Sequence, residues 1–172
     1  MATSDDFRRL FEATYPSVVA YARRRTNSST DADDVVAEIY TTAWKRADAL
    51  LAADVPLAWL YGVGLNVLRN RRRGSDRHLR LVTEATSAAQ TKPPIADPSE
   101  AVIVREALGS LPDDDAELIR LIAWEGLSHA EAAAVLGCST NAVGIRLMRA
   151  RQRLDDALSS SPSPTQRKAS NP

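Results

Sequence analysis

Four arginines and no acid lie between Thr140 and Arg153, in a stretch where Val143, Leu147, Ala150 and Leu154 recur at helical spacing. The helix they imply buries that apolar face, so Arg146, Arg149, Arg151 and Arg153 point elsewhere. Just upstream, Ser128-His129-Ala130-Glu131 has the form of a capping box, a serine N-cap with a glutamate three residues on. It opens a short alanine-rich helix, Ala130 to Leu136, which lets another helix pack closely. Gly137-Cys138-Ser139 then makes a tight turn, with Gly137 suited to left-handed backbone. Ser139 or Thr140 caps the helix that follows, which runs to about Leu158. A short helix, a glycine turn and a longer basic helix form the pattern of a DNA-reading helix-turn-helix. Its chemistry is contact with base edges by residues at the start of the recognition helix, Thr140 and Asn141, while arginines neutralise phosphates. The alternative is an ordinary helical hairpin with a solvated arginine face. The cap, the turn and the acid-free helix together favour the DNA reader.

A second basic stretch lies upstream. Between Asn66 and Arg80 there are six arginines and one acid. The acids collect elsewhere, at Asp31 to Glu38 and from Asp97 to Glu117, so a formal net charge of zero conceals two basic and two acidic patches. Two kinds of partner follow from such a map. Other chemistries find no support. His78 and His129 are isolated, no Cys/His/Asp cluster has metal-ligand spacing, and no nucleophile–base set or phosphate-cradling glycine loop is present. No enzyme activity, metal or cofactor is therefore expected.

The elements that position these residues read as helices throughout. Apolar residues make up 44 % of the 172-residue chain but aromatics only 5 %, so its cores are built mainly from Ala, Leu and Val. The fold class expected is all-α: two small helical domains joined by a flexible linker, the second containing the helix-turn-helix. Phe7, Leu10, Phe11, Val18, Val19 and Ala22 mark a first helix, with Pro16 expected to kink or divide it. Ser29, Thr30 or Asp31 caps a second, carrying Val35, Val36, Ile39, Tyr40, Ala43, Trp44 and Ala47. A loop from Asp48 to Val55 precedes a third, opened by Pro56 and striped by Leu57, Leu60, Tyr61, Leu65 and Leu68. The boundaries expected are a first domain over 1–80, a linker over 81–98 with three prolines, a second domain over 99–158, and a disordered Ser/Pro-rich tail over 159–172. The single cysteine, Cys138, allows no internal disulfide and fits a reducing compartment. No apolar run approaches the roughly 20 residues that span a bilayer, and the N-terminus lacks the pattern of a secretory signal. A cytoplasmic protein without membrane insertion is expected.

Several segments, in order, resemble the extracytoplasmic-function (ECF) sigma factors of bacterial RNA polymerase. Asp31-Ala32-Asp33-Asp34-Val35-Val36-Ala37-Glu38-Ile39-Tyr40 and the residues to Trp44 are similar to that family's core-polymerase-binding stretch. Trp59-Leu60-Tyr61-Gly62-Val63-Gly64-Leu65-Asn66-Val67-Leu68-Arg69-Asn70 resembles its promoter-melting helix. Leu111-Pro112 and Trp124-Glu125-Gly126-Leu127-Ser128 open a stretch similar to its region 4, and Asn141 to Arg151 resembles its −35-reading helix. There are two departures. Ala142-Val143-Gly144-Ile145 stands where the family often has a Thr-Val-(Lys/Arg)-Ser run, and Asp113-Asp114-Asp115 is more acidic than usual.

The resemblance implies a sigma factor that binds core polymerase and directs initiation through −10 and −35 elements. Asp33, Asp34 and Glu38 would meet the clamp helices of the largest polymerase subunit, with Trp44 expected in the core. Asn66, Arg69, Arg71, Arg72 and Arg73 would hold the −10 single strand beside a pocket formed by the Asp48–Val55 loop. That loop is aromatic-poor, so base stacking there is expected to be slight. Thr140, Asn141, Arg146, Arg149 and Arg151 would meet −35 DNA, with Arg151 or Arg153 also reaching phosphate or the flap of the second-largest subunit. The partners implied are core RNA polymerase and promoter DNA, and an anti-sigma factor is admitted. A stand-alone helix-turn-helix regulator is the alternative.

Overall fold

In a computed structural model, residues 4–83 and 100–160 are described. All the regular structure among them is helical: α1 (Ser4–Arg23), α2 (Ser29–Lys45), α3 (Ala47–Leu51), α4 (Pro56–Thr83), α5 (Glu100–Ser110), α6 (Asp113–Ala123), α7 (His129–Leu136) and α8 (Thr140–Ser160).

The first four helices enclose one core. Val18, Tyr21 and Ala22 of α1 meet Val35, Val36 and Ile39 of α2 and Leu60, Tyr61 and Leu68 of α4, all buried. α1 runs through Pro16 without interruption. Pro16 and Glu12 are both exposed, so water can solvate the carbonyl that the proline leaves without its helical partner. The cap of α2 is Ser28, one residue before the expected candidates. Its hydroxyl accepts from the Asp31 amide at 3.0 Å and donates to the Asp31 carboxylate at 2.7 Å. The first half of the expected Asp48–Val55 loop is helical, as α3, and only Ala52–Val55 is irregular. Leu50 explains the difference, since it is fully buried and ties that turn to the core.

α4 crosses α1 and α2 at Gly64. A Cβ built there would lie 2.7 Å from Tyr21 Cε1 and 2.9 Å from Ile39 Cδ1. Both neighbours are held in the core, so Gly64→Ala is expected to destabilise the chain by about 1–3 kcal/mol through overpacking. Thermal or urea unfolding followed by circular dichroism checks this.

In the second half, α6, α7 and α8 pack around Leu118, Leu121, Ala132, Ala133, Val143, Leu147 and Ala150. The expected capping box forms. The Ser128 amide donates to Glu131 Oε2 at 2.7 Å and the Glu131 amide donates to Ser128 Oγ at 3.2 Å. These bonds to its charged form hold the Glu131 carboxyl below its ordinary range. Gly137 takes φ +68° to end α7, and Ser139 caps α8 through the Ala142 amide at 3.2 Å. α4 continues to Thr83 and α8 to Ser160, a few residues past the expected domain ends. The rest of the expected linker and tail lies outside the described residues.

The two halves are in contact. α4 packs on α7, and buried residues form one connected cluster through both.

Candidate nucleic-acid interface

α8 presents three faces. Val143, Leu147 and Ala150 point inward and are buried. One helical turn spans 3.6 residues, so Asn141, Ile145 and Met148 share the opposite face. Ile145 is 43 % and Met148 67 % exposed. Arg149 and Arg151 flank this stripe, both exposed, and Thr140 and Asn141 stand exposed at its start. Arg146 sits closer to the body of the domain, its Nη2 3.7 Å from Asp114 Oδ2. Arg153 pairs with the largely buried Asp115, and is thereby tied to the fold rather than free for phosphate.

The −10 candidates lie along α4. Asn66, Arg72 and Arg73 are exposed, Arg69 and Arg71 half-buried. Several are already engaged within the chain: Arg69 Nη2 is 2.7 Å from Asp114 Oδ1, Arg72 Nη1 is 2.7 Å from Asp113 Oδ2, and Arg71 pairs with Glu38. Arg73 donates to Asn70 Oδ1 at 3.0 Å. Beside them is a cavity of about 520 Å³ lined by Ala53, Asp54 and Val55 of the loop and by Trp59 and Asn66 of α4. Its far wall is α7, through Ala130, Ala134 and Val135. The expected aromatic poverty of this pocket is corrected by the packing. Trp59 lines it, with the Arg46 guanidinium 5.6 Å from the ring centroid, so a flat stacking surface and a cation stand together. Trp59 opens the segment that resembles the melting helix but is not assigned to the pocket by sequence, since it sits among the apolar positions of its helix; Arg46, which follows α2, carries no signal.

On α2, Asp33 and Asp34 are exposed, while Glu38 spends its carboxylate on Arg71. Val35, Val36, Ile39 and Tyr40 fill the core as expected. Trp44 does not. It is 56 % exposed, its ring edge-on to Phe7 at 4.9 Å between centroids. Ala43 takes the buried position beside it, which leaves the indole on the outer side of α2 near the acidic face.

A further charged cluster joins the halves. Arg25, in the turn after α1, has a side chain only 1 % exposed. Its Nε donates to both carboxylate oxygens of Glu117, at 3.1 and 3.0 Å, and its Nη1 donates to Glu125 Oε1 at 2.7 Å. Arg24 Nη2 holds the other Glu125 oxygen at 2.9 Å. The guanidinium lies 3.7 Å above the Tyr21 ring, which stacks on Tyr61. Burial disfavours the charge on Arg25, but the two carboxylates outweigh it and raise its pKa. Burial, with Glu125 nearby, pushes the Tyr61 phenol up to about 12.

This all-helical arrangement, with an arginine-rich α4 and a helix-turn-helix in one chain, is that of a sigma-70-type factor. Residues 10–78 match the family model "Sigma-70 region 2" and residues 101–154 the model "Sigma-70, region 4". The chain is 32 % identical over 139 residues to the RNA polymerase sigma factor NccH of Alcaligenes xylosoxydans xylosoxydans, covering 76 % of this chain and 75 % of that one. It is 29 % identical over 163 residues to the ECF sigma factor EcfG of Rhodopseudomonas palustris, covering 92 % and 88 %. Among solved structures it resembles the sigma factor RpoE in complex with the anti-sigma factor NepR from Bartonella quintana. There the TM-score is 0.72 and the identity 25 %, over 91 % of this chain and 99 % of that one. The sigma factor CnrH in complex with the cytosolic domain of CnrY gives 0.63 and 31 %, over 94 % and 92 %. The chain belongs to the ECF sigma factors of RNA polymerase, proteins that direct promoter-specific transcription and are not enzymes. No helix among the described residues is long and apolar enough to cross a membrane.

Proposed function

We propose that residues 1–80 bind core polymerase and open the −10 element, that residues 99–158 read the −35 element, and that residues 81–98 link the two. The chain works in the cytoplasm, where polymerase and promoters are. Asp33, Asp34 and Glu38 dock on the clamp helices; Asn66, Arg69, Arg71, Arg72 and Arg73 hold the opened strand; Thr140, Asn141, Arg146, Arg149 and Arg151 meet −35 DNA. The observation that carries this reading is the outward face of α8, where Asn141 and Arg149 flank an exposed Ile145 with no protein partner to bury it. Ile145 suits the methyl group of a thymine, and Asn141 and Arg149 suit base-edge acceptors. One solved relative above is held by an anti-sigma factor, which supports such a partner for this chain as well.

The cavity at Ala53–Val55 receives an unstacked −10 base against Trp59. Base–aromatic stacking contributes about 1–3 kcal/mol, so Trp59→Leu is expected to cut open-complex formation by about tenfold while −35 duplex binding by the holoenzyme persists. Reconstitution with core polymerase tests the whole reading, through permanganate footprinting of melted bases and mapping of start sites. Equal melting by wild type and Trp59→Leu would remove Trp59 from the site. No start-site selection by the reconstituted holoenzyme would overturn the division of labour.

A further inference from the structure

A cleft of about 750 Å³, which shares no residue with the Trp59 cavity, is lined from the turn after α1, from α2, α4 and α5, and from the end of α6. Seven of its lining residues are arginines, and one, Asp31, is an acid whose carboxylate already accepts from the Ser28 hydroxyl. Four of the arginines have carboxylate partners. Arg24 and Arg25 share Glu125, Arg25 also holds Glu117, Arg71 holds Glu38 and Arg72 holds Asp113. The other three do not have one to themselves. Arg23 and Arg105, both exposed, enter no ion pair among the described residues. Arg120 has only Glu117, 3.9 Å away and already bonded twice by Arg25.

The cleft also holds unmet donors. The Arg25 side chain is 1 % exposed, and its Nη2 is buried with no acceptor. Arg120 Nε is buried and unpaired in the same way. Folded proteins rarely leave such groups without a partner, because each forfeits its hydration for nothing. Two of them on arginines lining one cleft mark a place where an anionic oxygen is wanted. Burial lowers the pKa of Arg120; Glu117 opposes this, while the charges of Arg25 and Arg72 push it further down. An anion seated there would relieve that repulsion.

The shape narrows the ligand. A concave space of this size suits a small molecule rather than a flat macromolecular contact. Guanidinium forks match phosphate oxygens in pairs. Trp124 lines the same cleft, 41 % exposed, and offers a flat ring to stack on, with Leu108 as apolar floor. The ligand must therefore carry several anionic oxygens and an aromatic base. We propose that this cleft binds a nucleoside polyphosphate, its phosphates on Arg23, Arg105 and Arg120 and its base against Trp124. Arg71 and Arg72, assigned above to the −10 strand, border the site, but none of its four principal residues is assigned to DNA.

Calorimetric titration of the full-length chain with ATP, inorganic tripolyphosphate and adenosine, in metal-free buffer at physiological salt, tests this. The chain has no net charge, so it exerts no global pull on anions, and binding reports the local site. ATP should bind one to one, tripolyphosphate about tenfold more weakly for want of a stacked base, and adenosine not measurably. Arg23→Gln and Arg105→Gln alter exposed side chains without partners, and each should weaken both phosphate ligands by about tenfold. Trp124→Leu should bring ATP down to the level of tripolyphosphate and leave tripolyphosphate unchanged. Arg149→Gln, an exposed arginine on α8 away from the cleft, should change nothing. No binding of ATP or tripolyphosphate at millimolar concentration overturns the site. Equal losses in Arg105→Gln and Arg149→Gln overturn it as well, since they reduce it to general attraction. Equal affinity for ATP and tripolyphosphate overturns the nucleotide and leaves a phosphate chain. A short single-stranded oligonucleotide that loses affinity in Arg105→Gln, where ATP does not bind at all, would hand the cleft to nucleic acid instead.

Discussion

Arg149→Ala is expected to reduce run-off transcription from the cognate promoter by roughly five- to a hundredfold. A good bidentate base contact discriminates by about 1–3 kcal/mol, and Arg149 is placed to make one. It is exposed, lies beside the outward stripe of α8, and enters no ion pair among the described residues. Arg146 differs, since Asp114 already offers it a carboxylate. Its replacement should cost less, because part of what DNA supplies is supplied internally. Asn141→Ala should lower activity modestly but relax preference at one −35 position, as expected for a residue that reads a base rather than a phosphate. Run-off transcription on a library of −35 variants separates the three. Wild-type activity and unchanged base preference in both Arg149→Ala and Asn141→Ala would show that α8 does not read the promoter through this face.

Charge reversal on α2 is expected to have the next largest effect. Asp34→Lys with Glu38→Lys should weaken association with core polymerase by on the order of one to several kcal/mol, chiefly through the on-rate and with strong salt dependence. Helix content should not change, because both side chains are exposed and Ser28 caps the helix without them. The structure divides the effect unevenly. Glu38 is partly neutralised by Arg71, so Asp34→Lys alone should produce most of the loss. Trp44, exposed on the same helix, offers an apolar contact at that surface, and Trp44→Ala should add to the loss without the salt dependence. Titration of labelled chain with core polymerase at two salt concentrations reads both. Unchanged affinity at moderate salt would remove α2 from the interface.

What the sequence determined by itself was most of what depends on short range, the exact cap of α2 and the helical turn at Ala47–Leu51 excepted. The helices follow from apolar residues at helical spacing, and the recognition motif from Ser128, Glu131 and Gly137, whose roles are fixed by backbone geometry within a turn or two. The exposed face of α8 was legible for the same reason: once Val143, Leu147 and Ala150 point inward, the opposite side is set. Periodicity could not decide the fate of a residue at the margin of a stripe. Trp44 has helical spacing compatible with the core, and only the packing of Ala43 put it outside. Nor could it show that Trp59 borders a cavity, because the opposite wall comes from α7, some seventy residues on. The charges show the limit most clearly. Arg25 reads as the end of a basic run and Glu117 as one acid in an acidic stretch, and their sequence separation of 92 residues leaves no local signal. Burying them together requires two preformed helical units with matching surfaces, so that pairing belongs to the tertiary structure alone.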